Sequence, residues 1–171
     1  MAKTESQAVV CDAGPLIHLD ELGCLDLLQN LGKILLPHEV WMEVVVHRPQ
    51  LSTDDLPNSN IVEVVADPSM RLMSLADSLD LDAGELAAIA LMESISAQLF
   101  LCDDAAARLA AESLGFAVHG TIGILIRSMR TGQRTQQQII NLLRGLPDQS
   151  SLHISRQLLR KVVAEVERAV E

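Results

Sequence analysis

The chain has 171 residues, 49% of them apolar but only 2% aromatic, with no tyrosine. That length suits one domain with a real core, and the aliphatic interior excludes a disordered chain and favours helices packed on a sheet. The formal charge of −10 argues against a simple polyanion-binding surface, yet it is unevenly spread: residues 1–120 carry 5 Lys and Arg against 19 Asp and Glu, and residues 121–171 carry 8 against 4. An acidic body with a basic end suits cations in one place and phosphates in another, although a basic end is equally an ordinary solvated helix surface.

In chain order, the apolar run Ala8–Cys11 ends in Asp12, Ala13, Gly14 and Pro15, the pattern of a strand, a turn and a helix start. Leu16, Leu19 and Leu22, then Leu25, Leu27, Leu28 and Leu31, predict two short helices broken near Gly23. Residues 33–36 read as a second strand, and Pro37 opens a helix to about His47 with Val40, Val44 and Trp41 facing inward. Residues 48–59 cluster Pro, Asp, Ser and Asn, which is loop chemistry. A strand over 61–65 and a helix over 69–79 follow.

Asp82 with Glu85 three residues later predicts a capping box opening a helix over 82–96. Residues 98–102 form a strand, Asp103 and Asp104 begin a helix, and 116–118 is a short strand before Gly120, Thr121, Ile122 and Gly123. Helices are expected over 121–131, 135–144 and 154–169. Alternating elements of this kind predict an α/β fold: a parallel sheet of about five strands between two helix layers, with ligands at the carboxyl ends of the strands. Residues 1–150 read as one domain. Residues 151–171 form an amphipathic helix, packed on that domain or serving as an interface.

Cys11, Cys24 and Cys102 form no CxxC pair; Cys11 and Cys102, at the ends of apolar runs, read as buried free thiols, and the pattern suits a reducing cytoplasm. The first twelve residues hold no apolar stretch of signal-peptide length, and no run reaches the roughly 18 apolar residues of a membrane span. His18, His38, His47, His119 and His153 lack HExxH spacing, there is no GxSxG elbow, and the Gly120–Gly123 stretch lacks the lysine of a P-loop. That stretch reads first as a tight start to a helix and second as a phosphate-facing N-terminus.

The acids carry the chemistry. Asp12 and Asp103 each close a strand, and in a parallel sheet both ends share one edge. Glu43 lies one or two turns into the helix after Pro37, Glu85 lies in the first turn of a later helix, and Asp104 follows Asp103. Carboxylates gathered this closely stay ionised together when a cation sits among them, and hard oxygen donors select Mg²⁺ or Mn²⁺. Such an ion orients and acidifies a water and neutralises charge building on a phosphate. Each acid also has a plainer role: Asp12, Asp103 and Asp104 as helix caps, Glu85 in its capping box, Glu43 as a solvated helix residue. Arg108, one turn after Asp104, suits an RNA phosphate or a surface ion pair.

The segments VVCDAGPLIHL, LPHEVWMEV, LDAGELAAIAL and LCDDAAARLAAESLGFAVHGTIGIL together resemble the PIN-domain family, over residues 8–131. Within it they are most similar to uncharacterised proteins related to toxins of the virulence-associated protein C type. The resemblance implies a three-layer fold and a Mg²⁺ or Mn²⁺ ribonuclease site. Asp12 resembles the family's first acid, Glu43 its second, Glu85 its third, and Asp103 or Asp104 its fourth. Two positions depart from the pattern: Gly14 stands where many toxins have Ser or Thr, and Glu85 where many members have Asp. The implied function is an endoribonuclease, the toxin of a toxin–antitoxin pair, acting on RNA and partnered by a small antitoxin protein; the high apolar content and the apolar face of the tail suit a homodimer or a larger assembly. The alternative is a catalytically silent module that binds RNA or a protein. A flap-type DNA nuclease is a third reading, disfavoured because no DNA-threading arch is evident.

Overall fold

The structure, a computed structural model, describes residues 8–64 and 67–169. Five strands form one sheet: β1 (Ala8–Cys11), β2 (Lys33–Pro37), β3 (Ser59–Val62), β4 (Leu99–Leu101) and β5 (Ala117–His119). Their order across the sheet is β3-β2-β1-β4-β5, and every neighbouring pair is parallel. Among the described residues the α-helices are α1 (Ala13–Glu21), α2 (His38–His47), α3 (Met70–Leu79), α4 (Ala83–Ile95), α5 (Ala105–Ser113), α6 (Thr121–Arg130), α7 (Gln136–Gln149) and α8 (Arg156–Arg168).

The chain steps one way from β1 to β2 to β3 and the other way from β4 to β5. Right-handed crossovers in opposite directions put their helices on opposite faces of a sheet. Accordingly α3, α4 and α5 pack on one another, while α1 packs on α6 and α6 on α7. Helix α2 touches both α1 and α4, and its first residue follows directly on the carboxyl end of β2. The expected three-layer α/β/α architecture with a five-stranded parallel sheet is therefore what forms.

The core is aliphatic. Val9, Val10 and Cys11 of β1, Ile34 and Leu36 of β2, and Phe100 and Leu101 of β4 are each at most 2% exposed, as strands buried on both faces require. Phe100 is the largest fully buried side chain. Val40 and Val44 face inward from α2 as expected, and Trp41 is half-buried against the core. All three cysteines are buried free thiols.

Several boundaries differ from the sequence reading. The second leucine-rich segment, Leu25–Leu31, is a 3-10 helix. Strand β3 begins at Ser59, inside the expected loop, because Ile34 N–H donates to Asn58 O at 2.9 Å and starts the pairing there. As an edge strand it tolerates the polar Ser59 and Asn60; Val65, the expected last residue of that strand, lies outside the described residues. Helix α7 runs five residues past its expected end, through Pro147, because Leu143 and Leu146 are completely buried and hold the last turn in place. Strand β5 lies one residue later than expected, set by Cys102 N–H donating to His119 O at 2.9 Å.

The C-terminal helix packs on α7 through Leu159, Val163 and Val166, which are at most 9% exposed, and Arg144 pairs with Glu167 at 2.7 Å. Among the described residues no helix is long and apolar enough to cross a membrane.

Phe100, on β4 beside the central strand, is fully buried. Replacing it with Ala is expected to cost about 3–5 kcal/mol in urea unfolding, with an unchanged m-value.

Candidate metal centre at the switch point

The direction of the crossovers reverses between β1 and β4, and open parallel sheets bind ligands beyond the strand ends at such a point. Asp12 leaves β1 there, and Asp103 and Asp104 leave β4. Cys11 pairs with Leu101, and Asp12 N–H donates to Leu101 O at 2.8 Å, so the two acidic strand ends lie side by side.

Asp12 is 6% exposed, and its Oδ1 is buried without a hydrogen-bond partner. Among the described residues its Oδ2 receives the Cys102 thiol at 3.7 Å, a weak donor. Asp12 opens α1 by position but makes no side-chain capping bond, so the plain capping role is not the one it plays. Burial, with the charges of Glu43 and Asp82, pushes its carboxyl up to about 6, opposed by the backbone amides of Ala13 and Gly14.

Glu85 does form the expected capping box: Asp82 N–H donates to Glu85 Oε2 at 2.9 Å, and Glu85 N–H to Asp82 Oδ1 at 2.9 Å. Among the described residues Oε1 makes no hydrogen bond. Burial raises Glu85 to about 7, and the charges of Asp82, Asp104 and Asp12 add to the effect. Glu43 is also raised, by burial first and by Asp82 second. Its Oε2 lies 3.5 Å from where a Cβ on Gly84 would stand, so α2 presents this acid to the start of α4. Asp12, Glu43, Asp82, Glu85 and Asp104 thus form one repelling group.

Asp103 and Asp104 take different roles. Asp104 caps α5 through Oδ1, which accepts from Ala106 N–H at 2.7 Å and Ala107 N–H at 2.9 Å, while its exposed Oδ2 is left over. Asp103 is turned away and saturated: Oδ2 accepts from His18 Nδ1 at 2.8 Å and Thr121 Oγ1 at 2.6 Å, and Oδ1 accepts from Thr121 N–H at 2.8 Å. A Cβ on Gly120 would stand 2.4 Å from Asp103 Oδ1 and 3.3 Å from Cys102 O, so only glycine fits there. Gly14 faces the same acid, with Asp103 Cβ 3.5 Å from its notional Cβ. Arg108 donates from Nη1 to Cys102 O at 3.2 Å and approaches Glu112 at 3.9 Å, which braces the end of β4.

His18 and Thr121 were missed as site residues, as was Asp82. The proximity of His18 to Asp103 crosses 85 positions and left no local signal, whereas Asp82 was visible but fully explained as a cap.

A hard cation fits this donor set. A buried, unpartnered carboxylate oxygen is costly unless something positive satisfies it, and the surrounding acids raise one another for the same reason. The spacing is open, however: among the described residues no three His, Cys, Asp or Glu side chains stand close enough to hold an ion as they are.

A PIN-domain family model matches residues 8–168. No curated protein sequence matches the chain.

Asp12 and Glu85 bind protons more tightly folded than unfolded, so their contribution to stability is full below about pH 4 and is lost as pH rises through about 6 and 7. For Asp12 the loss is about 2–3 kcal/mol. Urea unfolding in chelator from pH 4.5 to pH 8 is expected to show it, and Asp12→Asn should remove most of Asp12's share. In the same assay Gly120→Ala is expected to destabilise at every pH, because its methyl must displace the Asp103 carboxylate.

Proposed function

The chain belongs to the PIN-domain family, and on that premise we propose that it is a divalent-metal-dependent endoribonuclease with Asp12 at its centre. The observation that carries the reading is the buried Asp12 carboxylate, left with one orphaned oxygen among four other acids at the topological switch point. Asp12, Glu85 and Asp104 would hold the ion, each with an oxygen not committed elsewhere. Mg²⁺ or Mn²⁺ bound there supplies an acidified water and charge neutralisation at a phosphodiester. Glu43, raised by burial beside Asp82, stands at the wall of the site as a proton acceptor. Asp103 works from behind: His18 and Thr121 occupy its oxygens, and it fixes the end of β4 on which Asp104 sits.

RNA is favoured by the cations of the C-terminal half. Among the described residues Arg130, Arg156, Arg160 and Lys161 make no ion pair, whereas Arg134, Arg144 and Arg168 pair with Asp26, Glu167 and Glu165. Arg108, placed beside the acids, is a further candidate phosphate contact through the part of its guanidinium not bound to Cys102. The fuller reading is the toxin of a toxin–antitoxin pair in the cytoplasm, held by a small antitoxin protein and assembled as a homodimer. Three reduced thiols support the compartment, and exposed Val46, Met70, Leu109 and Leu158 support a protein partner.

A catalytically silent RNA- or protein-binding module is the second reading. The open spacing of the acids favours it.

The two separate in one pair of measurements. Wild type is expected to cleave an RNA pool with Mn²⁺ and to gain melting temperature on adding the ion, by mass action. Asp12→Asn is expected to lose cleavage at least a hundredfold and most of that thermal shift while staying folded in chelator. Equal Mn²⁺ shifts in the two proteins, or no cleavage by wild type, would leave the silent module standing.

A further inference from the structure

We infer that the cavity beside Asp103 is a base-binding subsite that seats one nucleotide of a single-stranded RNA next to the acidic centre. The ligand class rests on the ribonuclease reading above; the cavity and its walls do not. Its volume is about 420 Å³, within the usual range for a small-ligand site.

The walls divide by chemistry. Ile122, Leu152 and Ile154 give apolar faces, which suit the flat face of any base. Arg108, His119 and His153 supply polar groups around them, and His119 and His153 are exposed. The one carboxylate in the lining is Asp103, whose oxygens already accept three hydrogen bonds. An anionic strand is therefore repelled far less here than over Asp12 and Glu85. Beyond His119 and Gly123 a smaller cavity of about 210 Å³ is lined by Arg127 and Arg130, which continues a path for the phosphate backbone.

The outer wall is held in place. Leu152, His153 and Ile154 belong to the segment between α7 and α8, and that segment is tied to α1: Ser150 Oγ, Ser151 N–H and Ser151 Oγ donate to Glu21 Oε2 at 2.9, 2.7 and 3.1 Å. These bonds hold the Glu21 carboxyl below its ordinary value against the opposing effect of burial.

Gly123 is the second observation. It lies inside α6, where glycine weakens a helix relative to alanine. The nearest atoms a Cβ would meet all belong to His119, at 3.5, 3.5 and 3.7 Å, which is ordinary contact. Sterics at the first side-chain atom therefore do not require glycine here. What its bare backbone provides is open space between the two cavities, with the His119 ring laid against it.

The test uses the full chain with Gly123→Leu, which fills the cavity, and His153→Ala, which removes an exposed donor. Short single-stranded RNAs carry each base, or an abasic sugar, at every position around a cleavage site. Affinity is read by fluorescence anisotropy in chelator, cleavage with Mn²⁺, and folding by thermal melt. Wild type is expected to prefer one base at one position and to lose about tenfold in affinity when that base is removed. Gly123→Leu is expected to bind about tenfold more weakly and to be indifferent to the abasic sugar, and His153→Ala to flatten the base preference. Wild-type affinity and preference in both folded variants would overturn the inference, and that result is also the one expected if a protein partner fills the cavity. Cleavage without any base preference leaves the ribonuclease reading intact and overturns the subsite. A preference that the variants erase, in a protein that cuts nothing, leaves the subsite and removes the nuclease. No RNA binding by wild type removes both.

Discussion

One buried charge organises this molecule. Asp12 closes the central strand of a sheet whose interior is otherwise aliphatic, and one of its oxygens has no partner. A carboxylate in that position is destabilising when ionised, and the charges of Glu43 and Asp82 make it more so. The fold relieves this only in part: the Ala13 and Gly14 amides at the start of α1 and the Cys102 thiol favour the charge, but no side-chain capping bond forms. The unrelieved repulsion is concentrated at the switch point, where parallel α/β sheets place their ligands, and a cation is the simplest group that would remove it.

Around that centre the two aspartates after β4 divide the work. Asp103 gives up both oxygens to His18 and Thr121, and so ties α1 and α6 to the end of β4. Gly120 permits this by having no side chain where the carboxylate lies. Asp104, one residue on, points outward, caps α5 with one oxygen and adds its charge to that of Glu85. Adjacent residues of the same type thus have opposite accessibility, one serving rigidity and the other the acidic field.

The cations are arranged differently. Arg134 pairs with Asp26 and ties the C-terminal half to the first part of the chain, and Arg144 of α7 pairs with Glu167 and ties α7 to α8. Among the described residues Arg130 of α6 and Arg160 and Lys161 of α8 make no ion pair, and they border cavities on that side of the molecule. Acidic and basic surfaces therefore meet near Asp103 and Arg108, which is where a chain of phosphates would have to pass from one to the other.

Residue pattern alone determined the layered architecture, the strand ends that carry Asp12, Asp103 and Asp104, and the Asp82–Glu85 capping box, because each follows from local periodicity or a fixed short spacing. The motifs likewise carry the family resemblance, and a PIN-domain family model matches residues 8–168. Tertiary structure alone decided which aspartate is saturated, since His18 and Thr121 reach Asp103 across 85 and 18 positions. It also decided that α7 continues through Pro147, because burial of Leu143 and Leu146 outweighs the local break, and that β3 starts in polar residues, because edge pairing with β2 sets its register. Local sequence encodes what a segment prefers, whereas the pairing of distant side chains and the cost of burying them exist only after the chain has closed on itself.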